Sequence, residues 1–170
     1  MIHSRGFTLI EMLIVVAIIA ALAAIGYPLT QSVVGKSREA TCLNRLRSIG
    51  VGLQTYLQEH GDKMPELVQG RATKTGELPV LETVLLPYVD SADAFQCPAD
   101  HKQFEKSGSS YFWNATQSGL HVSQLKLFGI QGRPDRIPLI YDKEPWHPNK
   151  ANFLYADMSS SNKFRPVVGK

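Results

Sequence analysis

Only two cysteines occur in the 170 residues. They lie far apart, so at most one intrachain disulfide is available, and it would need a domain that folds outside the cytoplasm. The formal charge is only +3, and no Lys/Arg block is dense enough to form a nucleic-acid-binding stripe. Catalytic signatures are missing as well. There is no G-x-S-x-G elbow, no H-E-x-x-H pair, no glycine loop that would cradle a phosphate, and no D-x-[DN]-x-[DN]-G calcium loop. The serines at 107–110 and 159–161 fall in loop-like runs, so the chain reads as a protein that is not an enzyme. Its length suits one domain of ordinary size once the N-terminal segment is set aside.

That segment is the one long apolar run. Residues 7–27 carry a single charge, Glu11, over about the 20 residues that span a bilayer. A secretory signal peptide would use residues 2–5 as its basic start and Ala21-Leu22-Ala23 as its cleavage site. A plain uncut anchor is a second possibility. Neither has a use for a carboxylate, which costs several kcal/mol in hydrocarbon unless neutralised or paired. A cut between Gly6 and Phe7 would create an α-ammonium one helical turn from Glu11. In a bundle of staggered identical helices, that ammonium can meet the carboxylate of a neighbouring subunit, and the pair sets the axial register.

The stretch "RGFTLIEMLIVVAIIAALAAIGYP" resembles the N-terminus of type IV prepilins and type II secretion pseudopilins. A short basic leader, Gly6, aromatic Phe7, Thr8-Leu9-Ile10-Glu11, an Ala/Ile/Val/Leu run and Pro28 coincide within it. The resemblance implies cleavage between Gly6 and Phe7 by a prepilin peptidase, N-methylation of Phe7, and assembly through Phe7, Glu11 and Pro28. It further implies an inner-membrane assembly platform, copolymerisation with itself and with other pilin-like subunits, and a single-pass bacterial inner-membrane protein. The head would face the periplasm before entering an extracytoplasmic filament. The expected organisation is a leader (1–6), a transmembrane and assembly helix (7–28) and a soluble head (29–170). Charge counting is a poor guide to orientation, because Lys36 and Arg38 outnumber Arg5.

Gly26 and Pro28 predict a bend or melted turn near 24–28. Helix then resumes over 29–60 as an amphipathic spine. Its stripe is Val33, Ala40, Leu43, Leu46, Ile49, Leu53, Tyr56 and Leu57. Arg38, Glu39, Arg45, Arg47, Gln54 and Glu59 take the other faces. Gly61 and Pro65 stop the helix, and Gly50 and Gly52 let something pack closely. Residues 78–88 read as a short helix or turn-rich segment. Residues 109–115, 136–142 and 151–157 read as strands rich in aromatic and β-branched side chains. Residues 163–168 fold back across the turn at 157–161 as an edge strand, where Pro166 is tolerated. The loops at 61–80 and 98–108 are polar. A long helix on a small antiparallel sheet is an α+β, pilin-like plan.

Within the head, a Cys42–Cys97 bridge would fasten the irregular middle segment to the spine. The blocks "CLNRLRSIGVGLQTYLQEHGDKMP", "FQCPAD", "SYFWN" and "HPNKANFLYAD" resemble a large group of bacterial prepilin-type proteins with a His–x9–Asp–Gly tail. His147 and Asp157 have that spacing, but Met158 stands where glycine is expected. Glycine tolerates positive φ and methionine does not readily. No cofactor is expected. If a metal binds, calcium or zinc are the candidates, drawn from His147 and Asp157, from His147 with Asp100 and His101, or from the loop carboxylates Asp90, Asp93, Asp142 and Glu144. Trp113, Trp146, Tyr141 and Tyr155 offer surfaces for stacking bases or sugars, although strand alternation makes Tyr141, Phe153 and Tyr155 packing residues. Nucleic acid is not expected as a partner. The principal reading is a filament subunit, and the competing one is a tip-located module that binds DNA, a secreted substrate or a surface.

Overall fold

The computed structural model describes residues 8–165, apart from the side chains at 25, 26, 28 and 29. The chain divides into two units, Met1–Gly35 and Lys36–Lys170. Helix α1 (Leu9–Glu59) contributes to both.

In the first unit α1 is apolar from Leu9 to Ala24 apart from Glu11, and its side chains are exposed from Leu9 (83%) through Ile14, Val15 and Ile19 to Leu22. Helical assignment continues through 24–28, so the expected melted turn does not occur. Among the described residues no helix carries an apolar stretch long enough to cross a membrane. The transmembrane expectation for 7–28 also involves residues outside those described.

The second unit is built on the C-terminal half of α1. Its buried stripe is Glu39, Cys42, Leu46, Ile49, Leu53 and Leu57, at helical spacings of three and four. Burial of each large aliphatic side chain contributes about 1.5–3 kcal/mol. Two corrections follow. Val33 and Ala40 are exposed, and Glu39, expected on a solvent face, is buried. Glu39 is tolerated there because Asn149 donates from Nδ2 to its Oε1 at 3.2 Å.

Short elements follow: α2 (Leu81–Val84), α3 (Gln103–Ser107) and strands β1 (Tyr111–Trp113), β2 (Lys126–Leu127), β3 (Ile130–Gln131), β4 (Pro138–Asp142), β5 (Phe153–Tyr155) and β6 (Ser160–Ser161). The main sheet has the order β1-β4-β5-β6, all antiparallel, and β2 and β3 form a separate ribbon. Register pairs Phe112 with Tyr141 and Ile140 with Leu154. The architecture is α+β, with a core made by the α1 stripe, Tyr111, Trp113, Leu139, Ile140 and Leu154.

The expected strands at 109–115, 136–142 and 151–157 form β1, β4 and β5. The fourth strand differs. Ser160–Ser161 pairs with β5, while residues 163–165 are not strand and 166–168 lie outside the described residues. The tail is held instead by Tyr155, whose hydroxyl donates to the Lys163 carbonyl at 3.0 Å and accepts from the Arg165 N–H at 2.9 Å. The close approaches at the helix glycines are now identified. A Cβ on Gly50 would meet Leu154 Cδ1 at 3.1 Å, and one on Gly52 would sit 2.7 Å from the Tyr88 carbonyl oxygen. The segment 98–108, expected as a polar loop, contains α3 and a buried carboxylate, Asp100.

Candidate functional site

Two places carry candidate functional residues. At the N-terminal end, Gly6 and Phe7 lie outside the described residues. Glu11 is exposed, and its Oε2 accepts from the Thr8 backbone N–H and from the Thr8 hydroxyl, both at 2.8 Å. The Thr8 hydroxyl in turn accepts from the Glu11 N–H at 3.3 Å. This is a reciprocal capping box that satisfies donors at the helix start. Sequence reasoning assigned Glu11 only to assembly, yet the signal for capping was present as Thr-x-x-Glu ahead of an apolar run.

The second place is inside the head. Cys42 of α1, Cys97 after the 92–95 turn, Asp142 at the end of β4, and His147 converge there. Their ligand atoms all lie within 4.8 Å of one another, and all four residues are buried. Cys97 Sγ is 3.1 Å from His147 Nε2. Cys42 Sγ donates to Asp142 Oδ1 at 3.5 Å, and His147 Nε2 stands 3.5 Å from Asp142 Oδ2. Both cysteines, paired as a bridge in the sequence reading, are free thiols.

Each member is placed by its element. The helical stripe aims Cys42 inward. Asp142 ends β4, which is buried at four of its five positions, and Asn152 donates its backbone N–H to Asp142 Oδ2 at 2.7 Å. His147 opens a tight turn closed by Lys150 N–H to His147 O at 2.8 Å. The Tyr111 hydroxyl lies 3.2 Å from Cys42 Sγ.

Cys97 is held by a relay. Asp100 accepts from the backbone N–H groups of Lys102, Gln103 and Phe104, each at 2.8 Å, and from the Ser110 hydroxyl at 2.6 Å. Ser110 Oγ accepts the Cys97 N–H at 2.8 Å. Burial works against the Asp100 carboxylate, but the Ser110 hydroxyl and these N–H groups hold it below the usual carboxylate range.

Charge in the cluster is constrained. Burial, with the Cys42 sulfur beside it, pushes Asp142 up to about 8 against the Asn152 N–H and His147. The Cys42 thiol is raised by its neighbour Cys97 and by burial. Burial lowers His147, but Cys42 and the Asp142 and Glu39 carboxylates more than offset it, so its affinity for a proton rises. His147 Nδ1 is buried without a hydrogen-bond partner among the described residues.

The sequence candidates are therefore sorted differently. His147 belongs to a polar cluster, but Asp157 does not. Asp157 is exposed, and its Oδ1 accepts from Ser159 N–H at 3.0 Å in the turn before β6. Met158 in that turn has φ +62°, the left-handed conformation expected of glycine there. Asp100 is spent on backbone donors, and His101 is exposed. Asp90 and Asp93 are exposed surface carboxylates. Glu144, also exposed, accepts from Gln103 Nε2 and Trp146 Nε1. Asp142 was one carboxylate in a general list, and nothing local distinguished it. Trp113 and Tyr155 are fully buried, with Trp113 Nε1 donating to Ser118 Oγ at 2.8 Å, so neither is available for base stacking.

Searches of curated proteins and of solved structures return no match to this chain. Residues 1–27 match the family model described as the prokaryotic N-terminal methylation motif, and the chain therefore carries the prepilin and pseudopilin signature.

Proposed function

We propose that the chain is a structural subunit of a type IV pilus or type II secretion pseudopilus, matured by cleavage between Gly6 and Phe7. The methylation motif at residues 1–27 is the observation that carries this reading. The exposed apolar surface of α1 from Leu9 to Leu22 supports it. A surface of that extent is stable only against lipid or other apolar helices, and a filament core made of such helices would provide them. In the membrane the helix anchors the precursor. In the filament it packs against its copies, with the Phe7 ammonium of one subunit answering Glu11 of another. The head supplies lateral contacts outside the inner membrane, and the role is structural rather than enzymatic.

Mass spectrometry of the mature N-terminus tests the proposal. An N-methylated Phe7 start is expected, and Gly6→Ala should leave most of the protein unprocessed. A start after Ala23, or a working protein that keeps residues 1–6, would refute it.

A further inference from the structure

We propose that Cys42, Cys97, Asp142 and His147 form a closed, four-coordinate zinc site that fastens the head to its helical spine. The donors are two sulfurs, one imidazole nitrogen and one carboxylate oxygen, all within 4.8 Å and all buried. Zinc bonds of about 2.0–2.3 Å in a tetrahedron place the ligand atoms roughly 3.3–3.8 Å apart. Cys97 Sγ and His147 Nε2 are 3.1 Å apart, Cys42 Sγ is 3.5 Å from Asp142 Oδ1, and His147 Nε2 is 3.5 Å from Asp142 Oδ2, so either carboxylate oxygen is within reach of the site. All pairs lie within 4.8 Å, so bringing the widest to about 3.8 Å takes a contraction of at most about 1 Å.

Donor chemistry selects the metal. Two thiolates with an imidazole favour zinc over calcium or magnesium, which seek oxygen. Binding returns the two thiol protons to solvent, together with any proton held by the Asp142 carboxyl or by His147 Nε2, and places Zn²⁺ against two thiolates, the carboxylate and a neutral imidazole. His147 ligates through Nε2, leaving the proton on Nδ1. Supporting contacts are built around three of the ligands, while His147 Nδ1 has no hydrogen-bond partner among the described residues: the Tyr111 hydroxyl reaches Cys42 Sγ, Asn152 N–H fixes Asp142, and Ser110 holds the Cys97 backbone. Because four protein ligands fill the tetrahedron, the site is structural and leaves no open position for chemistry.

A Cys42–Cys97 disulfide is the competing use of the same sulfurs. It would leave Asp142 and His147, whose side chains are 0% and 1% exposed, buried as an ion pair at 3.5 Å. A zinc ion engages all four groups. Joining α1, the 97–100 turn, the end of β4 and the 147–150 turn also suits a head whose regular elements are short.

The test uses the full-length chain in mild detergent, purified with reductant and without chelator. Elemental analysis should find one zinc per chain. Exchange with cobalt(II) should give the intense visible bands of tetrahedral cobalt together with thiolate-to-metal charge transfer. Asp142→Asn should weaken cobalt binding at least tenfold, and Cys97→Ser should reduce the charge-transfer band. Should either variant fail to fold, the native cobalt spectrum decides alone. Trace metal in folded protein, a cobalt spectrum without thiolate bands, or a Cys42–Cys97 disulfide in non-reducing peptide mapping of protein isolated without reductant would each overturn the proposal. Metal content is read whether or not residues 1–6 have been removed, so the result is separate from the maturation claim.

Discussion

Asp100→Asn isolates the relay that shapes the Cys97 turn. The carboxylate accepts four hydrogen bonds, two at Oδ1 from Lys102 and Gln103 and two at Oδ2 from Phe104 and Ser110. Asparagine has nearly the same shape but one acceptor oxygen. It can keep the Oδ1 pair, now accepted by a neutral group. Its NH₂ then faces the Phe104 N–H and the Ser110 hydroxyl, donor against donor. The hydroxyl can rotate away, but the Phe104 N–H is left without its partner. Hydrogen bonds to a charged group contribute about 1.5–3 kcal/mol each, and they are not additive within one site. A net destabilisation of about 3 kcal/mol is expected. The assay is urea unfolding of the full chain in mild detergent at neutral pH, followed by tryptophan fluorescence, since Trp113 is fully buried. Asp93→Asn, at an exposed position, is the control and should change stability by no more than about 0.5 kcal/mol. Equal unfolding midpoints for the two variants would refute the claim that Asp100 organises this turn.

Gly52→Ala should cost about 2 kcal/mol, because a Cβ 2.7 Å from the Tyr88 carbonyl outweighs the helix-propensity gain. Gly50→Ala should be milder in the same urea assay, since its nearest neighbour is the movable side chain of Leu154. Arg71→Ala should destabilise by about 3 kcal/mol. It removes the 2.9 Å ion pair with Glu82, leaves that mostly covered carboxylate without its guanidinium, and frees the Ser107 carbonyl; a loss under 1 kcal/mol would contradict this. Glu11→Ala should still be processed but enter filaments poorly, as read from subunit yield in sheared filaments, and a normal yield would remove the charge-pair role.

How much could be read in advance depends on how local each signal is. The basic leader, Gly6, Phe7 and Glu11 are neighbours in sequence, so the methylation motif needs no fold to be recognised. Apolar spacing placed Leu46, Ile49, Leu53 and Leu57 on one face because a helix repeats every 3.6 residues whatever it packs against. Aromatic and β-branched runs likewise marked β1, β4 and β5. The same reasoning gave Ala40 too much weight and Glu39 too little. Helical phase alone does not say which edge of a stripe is covered, and Asn149 covers Glu39 from 110 residues away.

The head cluster was not legible for a related reason. Its four donors come from positions 42, 97, 142 and 147, and no local spacing unites them. The sequence paired His147 with Asp157 by interval, whereas the antiparallel order β1-β4-β5-β6 carries Asp157 into an exposed turn and leaves Asp142 facing inward. The sequence by itself determined the N-terminal maturation motif, the helical spine and the strand-forming segments, because each depends on residues a few positions apart. Which carboxylate meets the two thiols and the imidazole was decided only in the tertiary structure, by strand pairing and register between segments up to about a hundred residues apart.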